Sequence, residues 1–515
     1  MESSPPGADF NPLEVLLEAQ ASSRASAPYL LEARSARTLS YAELLDDVVL
    51  YRDRLRGWGV RRGDRVGLLF TDPMTFSAWF FTSMAMGVWV APLDSSLSGS
   101  NLANVDARSR DLGLIMILSD RDAPESPVVA WRNVLDPYTD VSRANVLDGA
   151  DESTSNGGVL LASSGTTGTP KVVALPTALL LAAAELIARH NELDVDDRGL
   201  SPLPLWHVNA EVVGLLSTLH AGASLVLDDR FHRTGFWAVV DEYEVTWINA
   251  VPAIISRLAK LLENEVPARR VRFIRSASAP LAPALFEEFE ASTGIPIMQS
   301  YGMTEAASQI CANPLAGVRK SGSVGPPVGV EVRVVVLEAD APASGADGVG
   351  HIEIKGPTVI KRYESAAYDD RFDADGWLRT GDLGYFDDDG YLFIVGRSDD
   401  VINRGGEKIY PLEIENVLLS VEGVAQVAVI GEPDEVFGHV PVAYVQPNDV
   451  AVLSSSSEMT KLIQRVRVSA NEAFSKAHRP AAVKLVDHFP SNATGKIRKG
   501  LVREGGLDVT YEEPL

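Results

Sequence analysis

The sequence predicts an α/β chain: a large N-terminal domain of doubly wound sheets plus a small β-section, then a small α+β C-terminal domain. Three observations carry this. At 515 residues and 46% hydrophobic, the chain exceeds what one compact core holds. Short apolar runs of strand character alternate with helical stretches through its first three hundred or so residues, which favours mostly parallel sheets with helices on both faces. From residue 321 onward the pattern turns to closely spaced β runs.

Taken in order, residues 11 to 60 read as a helix, a strand pair and a second helix. The second helix starts at Ser40, with Glu43 three residues on as a capping partner. Arg65 to Phe70 is a buried strand, Thr75 to Gly87 a helix, Val88 to Leu93 the next strand, and Leu114 to Leu118 repeats the theme. Gly158 to Ala162 and Val172 to Leu175 are strands around a loop. Thr177 to His190 is Leu/Ala-rich on nearly every side and reads as a buried helix. Strands at Ser224 to Leu227, Val245 to Ile248 and Val271 to Ile274 suggest a second copy of the doubly wound unit. Val330 to Leu337 and His351 to Lys355, with a Gly/Ala/Asp loop between them, form the antiparallel β-section, and Gly390 to Gly396 adds a strand. The charged Arg397-Ser398-Asp399-Asp400 follows at once. It divides the chain into domains 1–396 and 401–515, with 397–400 between them. The smaller domain has a helix at Leu412 to Ser420, strands near Val427 to Ile430 and Val442 to Val445, a solvated run Ser454 to Ser457, and a helix from Lys461 to Ala477.

Composition excludes several function classes. Seventy acidic against 46 basic residues give a net charge of −24, which argues against a nucleic-acid or anionic-membrane partner. The single cysteine, Cys311, allows no intrachain disulfide, and one thiol with eight scattered His makes no structural zinc site. Thr75 to Leu93 is uncharged, but Gly87 and Pro92 interrupt it, so it reads as a buried helix running into a core strand, not a membrane span. Neither terminus reads as a targeting signal, so the expected compartment is the cytoplasm.

The stretch richest in chemistry is Ser163-Ser164-Gly165-Thr166-Thr167-Gly168-Thr169-Pro170-Lys171. Two Gly let backbone N–H groups approach a phosphate, five hydroxyls add donors and Lys171 adds charge. It is not a P-loop, because Pro170 stands where the second Gly belongs and a strand follows where a helix should. Ser/Thr/Gly-rich surface loops are also common, so this run decides nothing alone. The same holds for four further motifs. Tyr301-Gly302-Met303-Thr304-Glu305 sets a hydroxyl and a carboxylate at a strand end, suited to a phosphate and its Mg²⁺, or simply starting a helix. Thr380-Gly381-Asp382 places a carboxylate where it could take both ribose hydroxyls, with Arg397 in reach, or merely closes a hairpin. Arg404-Gly405-Gly406-Glu407-Lys408 is a second Gly-rich turn, and Thr494-Gly495-Lys496 sets an ammonium on a turn near the tail.

In this order, over about residues 15 to 505, the motifs resemble those of the adenylate-forming superfamily of acyl-CoA synthetases, adenylation domains and luciferase. Phe273-Ile274-Arg275-Ser276-Ala277-Ser278-Ala279-Pro280-Leu281 and Ile402 to Ile409 look most similar to the oxalate-CoA ligase branch. The resemblance implies ATP and Mg²⁺ as cofactors, an acid as substrate, CoA as co-substrate and a mobile C-terminal domain. It implies that Ser163 to Lys171 closes over the β- and γ-phosphates, with Ser278, Ala279, Pro280, Gln299, Ser300, Tyr301 and Gly302 around the adenine. Thr304 would hold the α-phosphate, Glu305 the Mg²⁺, and Asp382 and Arg397 the ribose. Lys496 would be the catalytic lysine, Asp399 the hinge, and Arg404, Gly405, Gly406 and Lys408 the loop that meets the acceptor. His207, Asn209, Ser276, Met303 and Ser308 would line the acid pocket.

Two positions depart from the oxalate branch, which typically carries His where this chain has Asn209 and Ser308. Asn and Ser donate hydrogen bonds but carry no charge, so the expected substrate is small and polar yet not oxalate. The acceptor stays open between CoA and an amine or carrier protein, and an inorganic oxyanion such as nitrite stays open in place of the acid. A non-catalytic nucleotide-binding protein is the reading from another class. The presence of Glu305, Asp382 and Lys496 speaks against it, since binding alone has no need of Lys496.

Overall fold

The computed structural model describes residues 11–95, 102–122, 128–135, 157–163, 171–262, 270–336, 348–491 and 496–514. Its first sheet has six strands in the order Ala130–Asn133, Met116–Ser119, Arg65–Leu69, Trp89–Pro92, Gly158–Ser163 and Lys171–Pro176. All pairs are parallel except the last, Gly158–Ser163 with Lys171–Pro176, which is antiparallel. The helix Pro73–Ala85 has Asp72 as N-cap and is buried at almost every position. Its Ser77 and Thr82 hydroxyls donate to the carbonyls of Pro73 and Ala78, both at 2.7 Å, so these two polar groups are satisfied inside a protein core. Among the described residues no helix is long and apolar enough to cross a membrane. Ser40 and Glu43 form the expected capping box on the helix Tyr41–Gly57.

The second sheet has eight strands in the order Cys311–Ala312, Ile297–Tyr301, Phe273–Ser276, Trp247–Ala250, Arg198–Ser201, Ser224–Leu227, Pro28–Glu32 and Thr38–Ser40. It is parallel in the middle and antiparallel at both edges. It is not a copy of the first unit. The N-terminal strand pair completes its far edge, with Leu30 in register beside Leu225. The strand expected at Val245 to Ile248 begins two residues later. The Val245 N–H closes the preceding helix on the Val240 carbonyl at 2.9 Å, and the Thr246 hydroxyl donates to Asp197 at 2.6 Å. Asn209–Leu216 is a π-helix, which no sequence signal announced.

Glu331–Val336, Gly350–Lys355, Leu378–Phe386 and Leu392–Arg397 form the antiparallel four-stranded section. The residues beyond it build a fourth sheet with its own core, centred on Leu418, Val429, Val445, Leu462 and Val483. This smaller domain touches the larger through Tyr410, packed with Val349, Leu383 and Val395, and through Lys260 Nζ, which donates to Asn448 Oδ1 at 2.8 Å.

The serine run Ser454 to Ser457 is not a solvated loop, and the helix after it spans Ser456–Ala473, not Lys461 to Ala477. Ser455 is its N-cap and accepts from the Glu458 N–H, so the serines start the helix. Ser455→Ala should therefore lower stability by about 1 kcal/mol in a denaturant titration. Ser457→Ala, on the exposed first turn, should stay within about 0.5 kcal/mol of wild type.

Candidate active site

Most of the residues singled out in the sequence converge where the C-terminal ends of the second sheet's parallel strands face the strand starting at Lys171. The strand Ile297–Tyr301 ends in a tight turn. Gly302 has no room for a side chain, since a Cβ would meet the Ser308 carbonyl oxygen at 1.5 Å. Thr304–Ala306 forms a single 3₁₀ turn, and Ala307 and Ser308 then take φ of 44° and 86°, in the left-handed region. Ser278, exposed on the neighbouring loop, has φ 73°. Three non-glycine residues with left-handed backbone near one cleft fit a functional site better than a plain fold.

This turn buries Glu305, and Lys171 from the first sheet forms an ion pair with its Oε1. Tyr363 donates its hydroxyl to the same oxygen at 3.0 Å, and its ring centroid lies 4.7 Å from Lys171 Nζ. A buried carboxylate already holding an ammonium suits a divalent cation, so Glu305 fits the Mg²⁺ role. Nearby, Ser276 Oγ and Gln299 Oε1 are buried without a hydrogen-bond partner among the described residues, while Ser300 Oγ donates to the Ser276 carbonyl at 3.2 Å. Met303 and Thr304 are half-buried, Ala279 is partly exposed and Pro280 exposed along the cleft.

A second group is built by one cross-strand pair. Asp382 lies opposite Arg397 in the antiparallel section, with Arg397 Nε 3.6 Å from Asp382 Oδ1. Tyr301 donates its hydroxyl to Asp382 Oδ2 at 2.5 Å, and the Thr380 hydroxyl accepts from the Asp382 N–H at 3.1 Å. Burial, then the adjoining Asp382, push the Tyr301 phenol well above its ordinary range, so it stays a donor. Lys496 reaches this group from the smaller domain. Desolvation in the cleft and then the Arg397 guanidinium push its ammonium down, while Asp382 and Asp400 pull it up. Its side chain remains exposed, so water weakens the desolvation part. Asp399 is exposed in the 3₁₀ turn Ser398–Asp400, and Arg503 pairs with Asp400 beside it.

The acid-pocket candidates form a third group. His207 is half-buried and its Nε2 has no partner among the described residues. Burial lowers its pKa, against a weaker pull from Asp94, so the ring is neutral at pH 7. Asn249 Nδ2 donates to Asn209 Oδ1 at 2.8 Å, deep inside the domain. Ser308 is buried beside the Glu305 turn.

Two parts of the expected site stand apart. Ser164, Gly165, Thr166, Thr167 and Gly168, with the side chain of Ser163, lie outside the described residues, as do 492–495 next to Lys496. Arg404, Gly405, Gly406 and Lys408 form a hairpin in the smaller domain. The Arg404 guanidinium is engaged there with the carbonyls of Lys476, Ala477 and Arg479 and with the Phe437 ring. Sequence reasoning missed Asn249 and Tyr363. Asn249 carried a signal, one amide in the apolar run Trp247 to Val251, whereas Tyr363 lay in a stretch with no motif.

The AMP-binding enzyme family model matches residues 17–364, and that of the AMP-binding enzyme C-terminal domain matches 413–496. The oxalate–CoA ligase of Arabidopsis thaliana is 33% identical over 495 residues, covering 91% of this chain and 94% of that protein. The sulfoacetate–CoA ligase of Cupriavidus necator is 32% identical over 505 residues, covering 95% and 97%. The structure of o-succinylbenzoate coenzyme A synthetase from Bacillus subtilis with ATP and magnesium superposes with a TM-score of 0.79 at 28% identity, covering 94% of this chain and 98% of that one. With its two matched family regions and its grouped Lys171, Glu305, Asp382 and Lys496, the chain belongs to the AMP-binding enzyme family and is an AMP-forming ligase.

Proposed function

We propose that this protein joins a small polar acid to CoA through an acyl-adenylate, releasing pyrophosphate from ATP. The observation that carries this reading is the arrangement of opposite charges: Lys171 against Glu305 on one side, Asp382, Arg397 and Lys496 on the other. Attack of a carboxylate on the α-phosphorus brings two anions together, so the barrier is largely electrostatic. Lys171 and the loop before it take the β- and γ-phosphates, Thr304 the α-phosphate, and Lys496 the oxygens that gain charge as pyrophosphate leaves. Mg²⁺ on Glu305 supplies Lewis-acid charge neutralisation at the phosphates. Ser278, Ala279, Pro280, Gln299, Ser300, Tyr301 and Gly302 take the adenine, and Asp382 with Arg397 the ribose. Tyr301 fixes one Asp382 oxygen and leaves the carboxylate able to accept from sugar hydroxyls. His207, neutral, stands at the acid end.

For the second step, the smaller domain turns about Asp399 in the segment 397–400, withdrawing Lys496 and bringing the Arg404–Lys408 hairpin toward the adenylate. The arrangement described here, with Lys496 close to Asp382, corresponds to the first step. CoA is the acceptor we favour over an amine or carrier protein, because the curated relatives named above are CoA ligases.

The acid pocket of this reading is uncharged. Asn209 and Asn249 share one hydrogen bond, which leaves one buried donor and one buried acceptor unpaired, whichever way round the amides lie. A hydroxyl or amide on the acid would complete both, whereas a second carboxylate would need a cation that the pair does not supply.

Two outcomes test this. Lys496→Ala should lower adenylate formation by about 100-fold or more, read as acid-dependent pyrophosphate release. It should leave thioester formation from a supplied adenylate near wild type, and unchanged pyrophosphate release would remove Lys496 from the first step. In the same assay, small acids with a hydroxyl or amide at the far end should be used better than oxalate, and oxalate as the best substrate would overturn the assignment of the pocket.

A further inference from the structure

The segment from Ile360 to Glu364 ties together Lys171 and Glu305, which lie 134 residues apart in the chain. The Ile360 N–H donates to the Glu305 carbonyl at 2.9 Å. The Tyr363 hydroxyl donates to Glu305 Oε1 at 3.0 Å, and the Glu364 N–H donates to the carbonyl of Val172, the residue after Lys171, at 3.2 Å. The Glu364 carboxylate is held in turn by Arg65 at 2.6 Å. Tyr363 is 3% exposed and packs its ring against Tyr368 and Phe372, so it cannot swing away from the pair. Burial, then the charge of Glu305, keep its phenol protonated and therefore a donor.

We propose that Tyr363 is a positioning residue that holds Lys171 and Glu305 together as an internal ion pair, against which metal-free ATP must compete and which Mg·ATP replaces. The inference rests on the reading that this site takes Mg·ATP. When a phosphate draws Lys171 away, Glu305 is left as a buried, unpaired carboxylate facing added negative charge, which is strongly unfavourable. A divalent cation arriving with the nucleotide takes over the carboxylate as Lys171 leaves. Nucleotide and metal affinities are thereby coupled through one residue pair, and the coupling is reciprocal. The Tyr363 hydroxyl keeps the Glu305 carboxylate oriented in both states, while the ring face gives the ammonium a second resting contact.

The test is calorimetric titration of the full-length protein with ATP, in EDTA and in excess Mg²⁺, for wild type, Glu305→Gln and Tyr363→Phe. Glu305→Gln releases Lys171, so it should bind metal-free ATP about 3- to 10-fold tighter than wild type and gain less from Mg²⁺. Tyr363→Phe keeps the ring and loses only the hydroxyl, so it should bind Mg·ATP about 3- to 10-fold more weakly, with no loss of affinity for metal-free ATP. A loss of packing alone would weaken both conditions equally, and that result would overturn the positioning role. Wild-type affinities in both conditions for Tyr363→Phe, or metal-free ATP bound no tighter by Glu305→Gln than by wild type, would also overturn it while leaving the proposed function standing. Failure of wild type to bind ATP in either condition would remove both.

Discussion

The site depends on one electrostatic constraint: Lys171 and Glu305, from separate sheets, occupy a single buried spot. A buried ion pair adds little net stability, because desolvating two charges offsets most of their attraction, yet breaking it from one side costs about 3–5 kcal/mol. Such a pair persists only where hydrogen bonds complete it. Here the tight turn after Tyr301 presents Glu305, the antiparallel turn-back of the first sheet presents Lys171, and Tyr363 completes the contact. Removing Lys171 or Glu305 leaves the other charge with no partner, whereas removing Tyr363 takes away one hydrogen bond to Glu305. The two large sheets already share one hydrophobic core, so this pair fixes the local geometry where they meet more than it holds the domain together.

The second group of charges follows from the first in a different way. Asp382 and Arg397 need no distant chain, since they sit opposite each other on neighbouring strands. Their exposure is moderate and their separation of 3.6 Å is loose, so the pair is weak as a stabilising contact. Weakness suits a pair that must re-partner with a ligand. Tyr301 links the two groups, because it ends the strand that leads into the Glu305 turn and donates to Asp382. One strand thus joins the two charged groups, and Lys496 arrives from the smaller domain on the Asp382 side. On a chain of net charge −24, the cleft's cations Lys171, Arg397 and Lys496 are balanced by Glu305, Asp382 and Asp400.

How much of this was legible in the sequence differs by kind of feature. Periodicity and caps gave the helix Thr177–His190 to the residue and the capping box at Ser40, because both are local properties of the chain. The motif order singled out Glu305, Asp382, Arg397 and Lys496, and the structure sets Asp382 opposite Arg397 on neighbouring strands with Glu305 on the turn after Tyr301. The failures are all long-range or competitive. The strand pair at Pro28 to Ser40 joined the second sheet through pairing with Ser224–Leu227, a contact that no local window contains. The serines before Met459 looked like a solvated loop because Ser favours loops and N-caps alike, and only the packing of Met459, Leu462, Ile463 and Val466 selects the helix. Tyr363 was invisible because an isolated Tyr in an irregular stretch has no signature until its partners are placed.

The contrast between the two ends of the site bears on what the enzyme discriminates. At the end proposed for the phosphates the groups are ionic, as that reading requires. At the end proposed for the acid they are amides, a hydroxyl and a neutral imidazole. The nearest guanidinium in sequence and sheet register is Arg275, which lies beside Asn249 on the same face of the second sheet. It is fully buried, but its Nη1 turns toward Asn191 Oδ1 at the carboxyl end of the helix Thr177–His190, where a cation complements the helix dipole. Its Nε and Nη2 have no hydrogen-bond partner among the described residues, and burial lowers its pKa to about 9, so one end of a buried cation stays unpaired beside Asn249. In the proposed reading, a second carboxylate placed against the Asn209–Asn249 amides would lose its hydration without gaining a cation from that pair, so selectivity would rest on desolvation more than on shape.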